Sequence, residues 1–210
     1  MPTSTSWISF ALVALGMVLT PGPNMIYLIS RSISQGRIAG LISLGGVALA
    51  FAVYIVLSAL GITALIIAVP YAYELLRFGG ACYLLYLAWQ TLRPGGRSPF
   101  HLRELPKDRP RTLFVMGFVT NLLNPKAAVL YLSLLPQFIA PERGSVLLQS
   151  LVLGFTQITI SVLVNGVIAL MAGSIAAFLA TRPTWISVQR WLMGLVLGGL
   201  ALRMATEARR

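Results

Sequence analysis

Acid is nearly absent from this chain. Of its 210 residues only 5 are Asp or Glu, against 16 Lys or Arg, and charged residues together make up 10%. A soluble domain carries about 25% charge, so this composition excludes an ordinary water-facing surface. There is one cysteine, Cys82, which excludes an intrachain disulfide and any relay that needs paired thiols. In an apolar run it reads as a small packed residue rather than a reactive thiol. The one histidine, His101, stands in a basic loop with no second ligand near it. Nothing resembles a metal site, a phosphate loop or a hydrolytic triad, so neither a cofactor nor an enzyme is indicated. Carboxylates are nearly missing from the apolar runs, which argues against a path for inorganic cations.

What is present is hydrocarbon. Apolar residues make up 57% of the chain and mean hydropathy is +0.84. No charged residue occurs from Met1 to Ser30, from Ile38 to Tyr73, or from Gly144 to Thr181. A helix that crosses a bilayer needs about 20 apolar residues. The sequence predicts an all-α integral membrane protein with about six spans, at 7–29, 39–60, 70–92, 113–138, 146–174 and 185–205. Helices are required, because an open sheet in lipid leaves backbone groups unpaired and these runs are too long for barrel strands. The second and third spans share one uncharged run and are divided between Gly61 and Pro70. The first six residues lack a basic segment, so 7–29 reads as a retained span and not a cleaved leader. The chain forms one transmembrane domain, 1–210, whose partner is the lipid bilayer.

The net charge of +11 does not point to nucleic acid, because most cations sit in short segments between apolar runs, where they set orientation. The segment 93–112 holds Arg93, Arg97, Arg103, Lys107, Arg109 and Arg111 among four prolines. It reads as an irregular cytoplasmic loop. Arg31 and Arg37 mark a second one, Arg182 and Arg190 a third. Both ends then lie outside, against the arginines at 203, 209 and 210, so a five-span or re-entrant arrangement stays open. Glu74 and Arg77, three residues apart, read as an ion pair at the outer interface.

The two halves resemble each other. Gly16-Met17-Val18 followed by Pro21-Gly22-Pro23-Asn24 corresponds to Gly117-Phe118-Val119 followed by Asn124-Pro125-Lys126. With three spans per half, the repeat (1–92 and 113–210, joined by 93–112) must be inverted. Inverted repeats with helices interrupted at matching places indicate a transporter with a midplane site.

Two segments carry the chemistry. Thr20-Pro21-Gly22-Pro23-Asn24 lies inside the first span, where each proline removes a backbone donor and crowds the preceding turn. The freed carbonyls and amides must face protein or a wet cavity; the alternative is a kink for packing alone. Asn121-Leu122-Leu123-Asn124-Pro125-Lys126 repeats the device in the fourth span. Asn121 and Asn124 share a face. Lys126 has apolar residues for about a dozen positions on either side, and a lysine at depth is costly unless it faces the interior. There it would hold a carboxylate or carry a proton; the alternative is snorkelling to an interface. Tyr54 and Asn165 are weaker candidates for the same pathway. Gln157, Thr156, Thr159 and Ser161 make the fifth span the most polar, which either a pathway or interhelical hydrogen bonding explains.

These residues resemble the lysine-exporter superfamily (LysE/RhtB) of lysine, threonine and homoserine exporters. The likeness rests on Thr20-Pro21-Gly22-Pro23-Asn24 and on Gly117 through Lys126 with Leu135-Pro136-Gln137-Phe138. It extends to Gly36-Arg37, Gly40, Leu44-Gly45 and Gly79 through Leu84, and so covers essentially the whole chain. The resemblance implies a multi-pass exporter of the bacterial inner membrane, driven by the proton gradient and dimeric in many members. It implies roles for Pro21, Gly22, Pro23, Asn24, Asn124, Pro125 and Lys126. Tyr54 stands where many relatives carry His, and Asn165 where some carry an acid, so the proton carrier is not identified. The leading expectation is a secondary exporter of amino acids or close derivatives. Its rivals are an exporter of another small solute or ion, and a non-transporting assembly factor.

Overall fold

The computed structural model describes residues 2–68, 70–93, 107–180 and 183–206, with some helical side chains among them left out. All regular structure in these residues is helical. In order they are α1 (Ser4–Leu19), α2 (Pro23–Gln35), α3 (Arg37–Ala68), α4 (Pro70–Leu92), α5 (Pro110–Leu122), α6 (Pro125–Val129), α7 (Val146–Ala180) and α8 (Pro183–Thr206). A π-helical turn, Leu130–Leu134, and a 3-10 turn, Leu135–Phe138, carry α6 onward; a further 3-10 turn spans Pro141–Arg143.

Among the described residues, α3 and α7 are each long and apolar enough to cross a bilayer, over Arg37–Gly61 and Val146–Ile175. The pair α1–α2 passes the same requirement but bends by 53°, and Pro110–Leu122 with Pro125–Phe138 bends by 50°. Helices α4 and α8 have 23 and 24 residues, and the described apolar stretch of α4, Phe78–Trp89, is shorter than a full span. The expected interruptions therefore fall in the first and fourth long units. The boundaries differ from expectation at several helix ends, among them that of α7, which runs past 174 to Ala180. Helix α3 runs past Gly61 to Ala68, with Pro70 beginning α4. Helix α2 continues to Gln35, and α5 starts at Pro110 inside the basic segment, because a helix end outside hydrocarbon tolerates polar residues. Glu74, Arg77, His101 and Arg182 lie outside the described side chains.

Proline stereochemistry produces both breaks. The residue before a proline is pushed out of the helical region. Thr20 (φ −71°, ψ 126°), Gly22 (φ −161°, ψ 178°) and Asn124 (φ −80°, ψ 109°) are all extended, and each precedes a proline. Pro23 and Pro125 then occupy the first turn of the next helix, where a missing N–H costs nothing. Beyond α6, Pro136 cannot donate to the preceding turn, and the chain passes there from the π turn into the 3-10 turn. The side chain of Gln137 donates to the Ser133 carbonyl at 2.8 Å.

The packing partners correspond between the halves. Helix α5 lies along α3 as α1 lies along α7, while α3 packs on α7 and α4 on α8. Glycine sets the closest crossing. A Cβ at Gly117 would fall 2.1 Å from the Ser43 carbonyl oxygen, and one at Gly46 would fall 1.9 Å from that of Phe114. Only two bare backbones allow α3 and α5 this approach. Gly36, at φ 93°, makes the reversal between α2 and α3.

The core gathers Phe10, Met17, Leu28, Val47, Phe51, Leu84, Tyr131, Leu134, Leu153 and Leu197. Large apolar side chains such as Leu12, Leu57, Trp89, Leu163 and Leu195 face outward, as expected where lipid is the solvent. Cys82 is among the exposed residues, not packed as its apolar run suggested; in a bilayer an apolar run has an outer face as well as an inner one. At the basic end, Asp108 accepts from Arg31 and, at 2.9 Å, from the Gln35 amide, which takes the Asp108 N–H in return. This cluster ties the end of α2 to the start of α5.

Candidate functional site

The two breaks meet. Helix α1 ends at Thr20, whose N–H and hydroxyl both return to the Gly16 carbonyl. The carbonyls of the last turn then lack intrahelical partners, and Lys126 supplies one. Its Nζ donates to the Met17 carbonyl at 2.9 Å and to the Thr20 carbonyl at 2.6 Å. A cation at a helix C-terminus also meets the negative end of the backbone dipole. Gly22 makes room for it: a Cβ there would lie 2.9 Å from Nζ. The lysine of the second break thus occupies the first break.

The second break is held in the same manner. Asn124 caps α6, its Oδ1 accepting from the Lys126 backbone N–H at 3.0 Å. The Leu122 carbonyl, left without an intrahelical donor, accepts instead from the Tyr54 hydroxyl at 2.9 Å. Tyr54 stacks on Tyr131 with ring centres 5.4 Å apart, and the Tyr131 hydroxyl donates to Gln157 Oε1 at 2.5 Å.

A third tie joins the breaks directly. Asn121 is fully buried. It donates to the Val47 carbonyl at 2.8 Å and accepts from Asn24 Nδ2 at 2.5 Å. The other side-chain atom of Asn24, Oδ1, is buried and has no partner.

Beside this junction is a cavity of about 30 Å³, lined by Met17, Val18, Asn24, Met25, Phe51, Asn124, Lys126, Ala127, Leu130, Gln157, Ser161 and Asn165. That volume suits about two water molecules; an amino acid would enter only if the surrounding helices parted. Both breaks fall near the middle of their bent units, since α1 and α5 rise by about 24 and 20 Å before them.

The structure distributes the expected site residues unevenly. Asn24, Asn124, Lys126 and Asn165 line the cavity. Thr20 and Gly22 touch Lys126, Asn121 braces Asn24 from behind, and Pro21, Pro23 and Pro125 shape the breaks. Tyr54 caps a carbonyl and is not among the lining residues. Gln157 and Ser161 do line the cavity, although composition does not single them out above the other polar residues of α7. Their signal was spacing: 157, 161 and 165 recur at one face of a helix. Thr156 and Thr159 spend their hydroxyls on carbonyls one turn back, and Thr156 also accepts from the Trp7 indole. Asn165 is held by Ser161, donating to its carbonyl and its hydroxyl at 2.9 and 3.2 Å.

The family model for LysE type translocators matches residues 15–208. The homoserine/homoserine lactone efflux protein of Salmonella typhimurium is 33% identical over 173 residues, covering 82% of this chain and 83% of its own. The protein of the same description from Salmonella typhi is likewise 33% identical over 173 residues. No solved structure matches the chain.

Proposed function

The chain belongs to the LysE type translocator family, a family of membrane transporters and not of enzymes, and from that premise we propose that it exports homoserine-type amino acids and close derivatives across the bacterial inner membrane. The observation that carries this reading is a lysine seated where two interrupted helices meet, on the wall of a cavity. A lysine inside the hydrocarbon is costly and marks a functional path by default. Interrupted helices offer a polar solute exposed backbone groups at a depth where continuous helices offer none.

In this mechanism Lys126 Nζ has three protons and gives two to carbonyls. The third serves the solute's carboxylate or carbonyl oxygen. Asn24 and Asn124, both on the cavity wall, complete the polar contacts. The repeats 1–92 and 113–210, inverted about the junction, rock against one another to expose it alternately to each side. Proton antiport belongs to the proposal: it requires proton and solute to bind in exclusion of one another, so Lys126, the one ionisable side chain among the described lining residues, is assigned to the solute and not to the coupling proton. The names of the relatives support a homoserine-type substrate.

The test is untargeted analysis of spent medium from cells overexpressing the parent protein or Lys126→Ala at equal membrane levels. Accumulation of one or a few amino acids with the parent and not with the variant is expected, and a protonophore should abolish it. Equal accumulation with both would sink the assignment of Lys126.

A further inference from the structure

One acceptor in the cavity is left over by its own surroundings. Asn121 sets the arrangement, because its Nδ2 donates to the Val47 carbonyl at 2.8 Å, and a carbonyl only accepts. Asn121 therefore turns Oδ1 toward Asn24, and Asn24 must offer Nδ2 to it. What remains is Asn24 Oδ1, an acceptor without a partner on a residue 8% exposed that lines the cavity. Buried polar atoms in native proteins are paired, and one that is not asks for a ligand, an ion or a functional reason.

Most of the other lining groups are committed; Asn165 Oδ1 is a further acceptor, but not one of the buried unpartnered atoms. Gln157 Oε1 takes the Tyr131 hydroxyl, Asn124 Oδ1 takes the Lys126 amide, and Asn165 Nδ2 is held by Ser161. Lys126 supplies the wall's one formal charge, and none of its described residues is acidic.

These facts sort what a solute can bring. A carboxylate or ester carbonyl finds the remaining Lys126 proton. An ammonium finds Asn24 Oδ1. A second cationic group finds no carboxylate and meets the charge of Lys126 in surroundings where like charges repel strongly.

We infer that Asn24 is the specificity-determining acceptor for the solute's α-ammonium, and that the cavity takes solutes with one ammonium and an uncharged side chain. This rests on the cavity being the transport site. A free carboxylate is then replaceable at a cost, since a lactone carbonyl still accepts from Lys126 but no longer offsets its charge. The ammonium is not dispensable, since N-acylation removes its charge and leaves a single N–H.

The test is uptake of labelled homoserine into everted membrane vesicles carrying the parent protein. Unlabelled homoserine, homoserine lactone, N-acetylhomoserine and lysine serve as competitors. Homoserine lactone is expected to compete, though less well than homoserine, and N-acetylhomoserine and lysine at least about tenfold less well than homoserine. Equal competition by N-acetylhomoserine overturns the ammonium assignment while leaving export intact. Equal competition by lysine overturns the exclusion of a second cation. Absence of homoserine uptake overturns the exporter reading along with both. A second arm uses Asn24→Asp, which places a carboxylate at the acceptor and should raise lysine relative to homoserine uptake by about tenfold or more. An unchanged ratio in a variant present at parental membrane level counts against the proposal. The competition arm needs no variant and stands if this one does not fold.

Discussion

Lys126 and Gly22 are best understood as one object. The ammonium sits where a methyl group at 22 would have to go, and Gly22 is extended, a conformation any residue adopts. Gly22→Ala therefore strains no backbone; it displaces the flexible end of Lys126 from its two carbonyls. Export should fall by about tenfold or more, since misplacing a site group by an ångström is enough for such a loss, while membrane levels stay near parental. Export assayed alongside a quantitative blot checks this, and unimpaired export would separate the lysine's position from its function. Tyr54 invites the opposite expectation. Its hydroxyl caps the Leu122 carbonyl outside the cavity wall. Tyr54→Phe should lower stability by about 1 kcal/mol, seen as a reduced Tm in detergent, and leave the preference between homoserine and its lactone unchanged.

Among the elements, the α3–α5 crossing is the one that admits no alternative side chain. At Gly117 and Gly46 the facing atoms are backbone, so an added methyl cannot be accommodated by a rotamer change and must push the helices apart. Gly117→Ala should destabilise by about 1–3 kcal/mol or more, with less protein recovered from the membrane. Gly198→Ala, with nothing within 4 Å of the added carbon, is the matched neutral control for the same thermal melt. Because Asn121 projects from α5 and Val47 from α3, opening this crossing would also loosen the tie that sets Asn24. Stability and site geometry are coupled through one contact.

For the whole molecule, the charged ends carry the expectation of its orientation. Asp108 joins Arg31 and Gln35 at the basic end. Lys107 and Glu142 are both exposed and belong to opposite ends of the bent unit that runs from α5 to Phe138. In a Cys82→Ser background, a thiol introduced as Lys107→Cys should react only from the cytoplasm, and one introduced as Glu142→Cys only from the outside. Labelling intact cells with a membrane-impermeant maleimide checks both. Labelling of the Lys107→Cys variant in intact cells would reverse the orientation.

Much of this protein is determined within short stretches of chain. Hydrocarbon runs select the bilayer, and a residue before proline is biased out of the helix, as at Thr20, Gly22 and Asn124, though not at Leu135, which stays helical before Pro136. Residence in the membrane and the two interrupted helices were therefore legible in the order of residues alone. Partners were not. Lys126 reaches carbonyls 106 and 109 residues away, and Asn24 meets Asn121 across 97. Which helices cross, and how closely, is settled by glycine contacts and packing that no local pattern contains. Only the tertiary structure set the Tyr54 hydroxyl on the Leu122 carbonyl, turned Gln157, Ser161 and Asn165 onto the cavity, and left Asn24 with an oxygen to offer. The division follows from range: backbone stereochemistry acts over one or two residues, whereas a hydrogen-bond inventory closes only when every neighbour is in place.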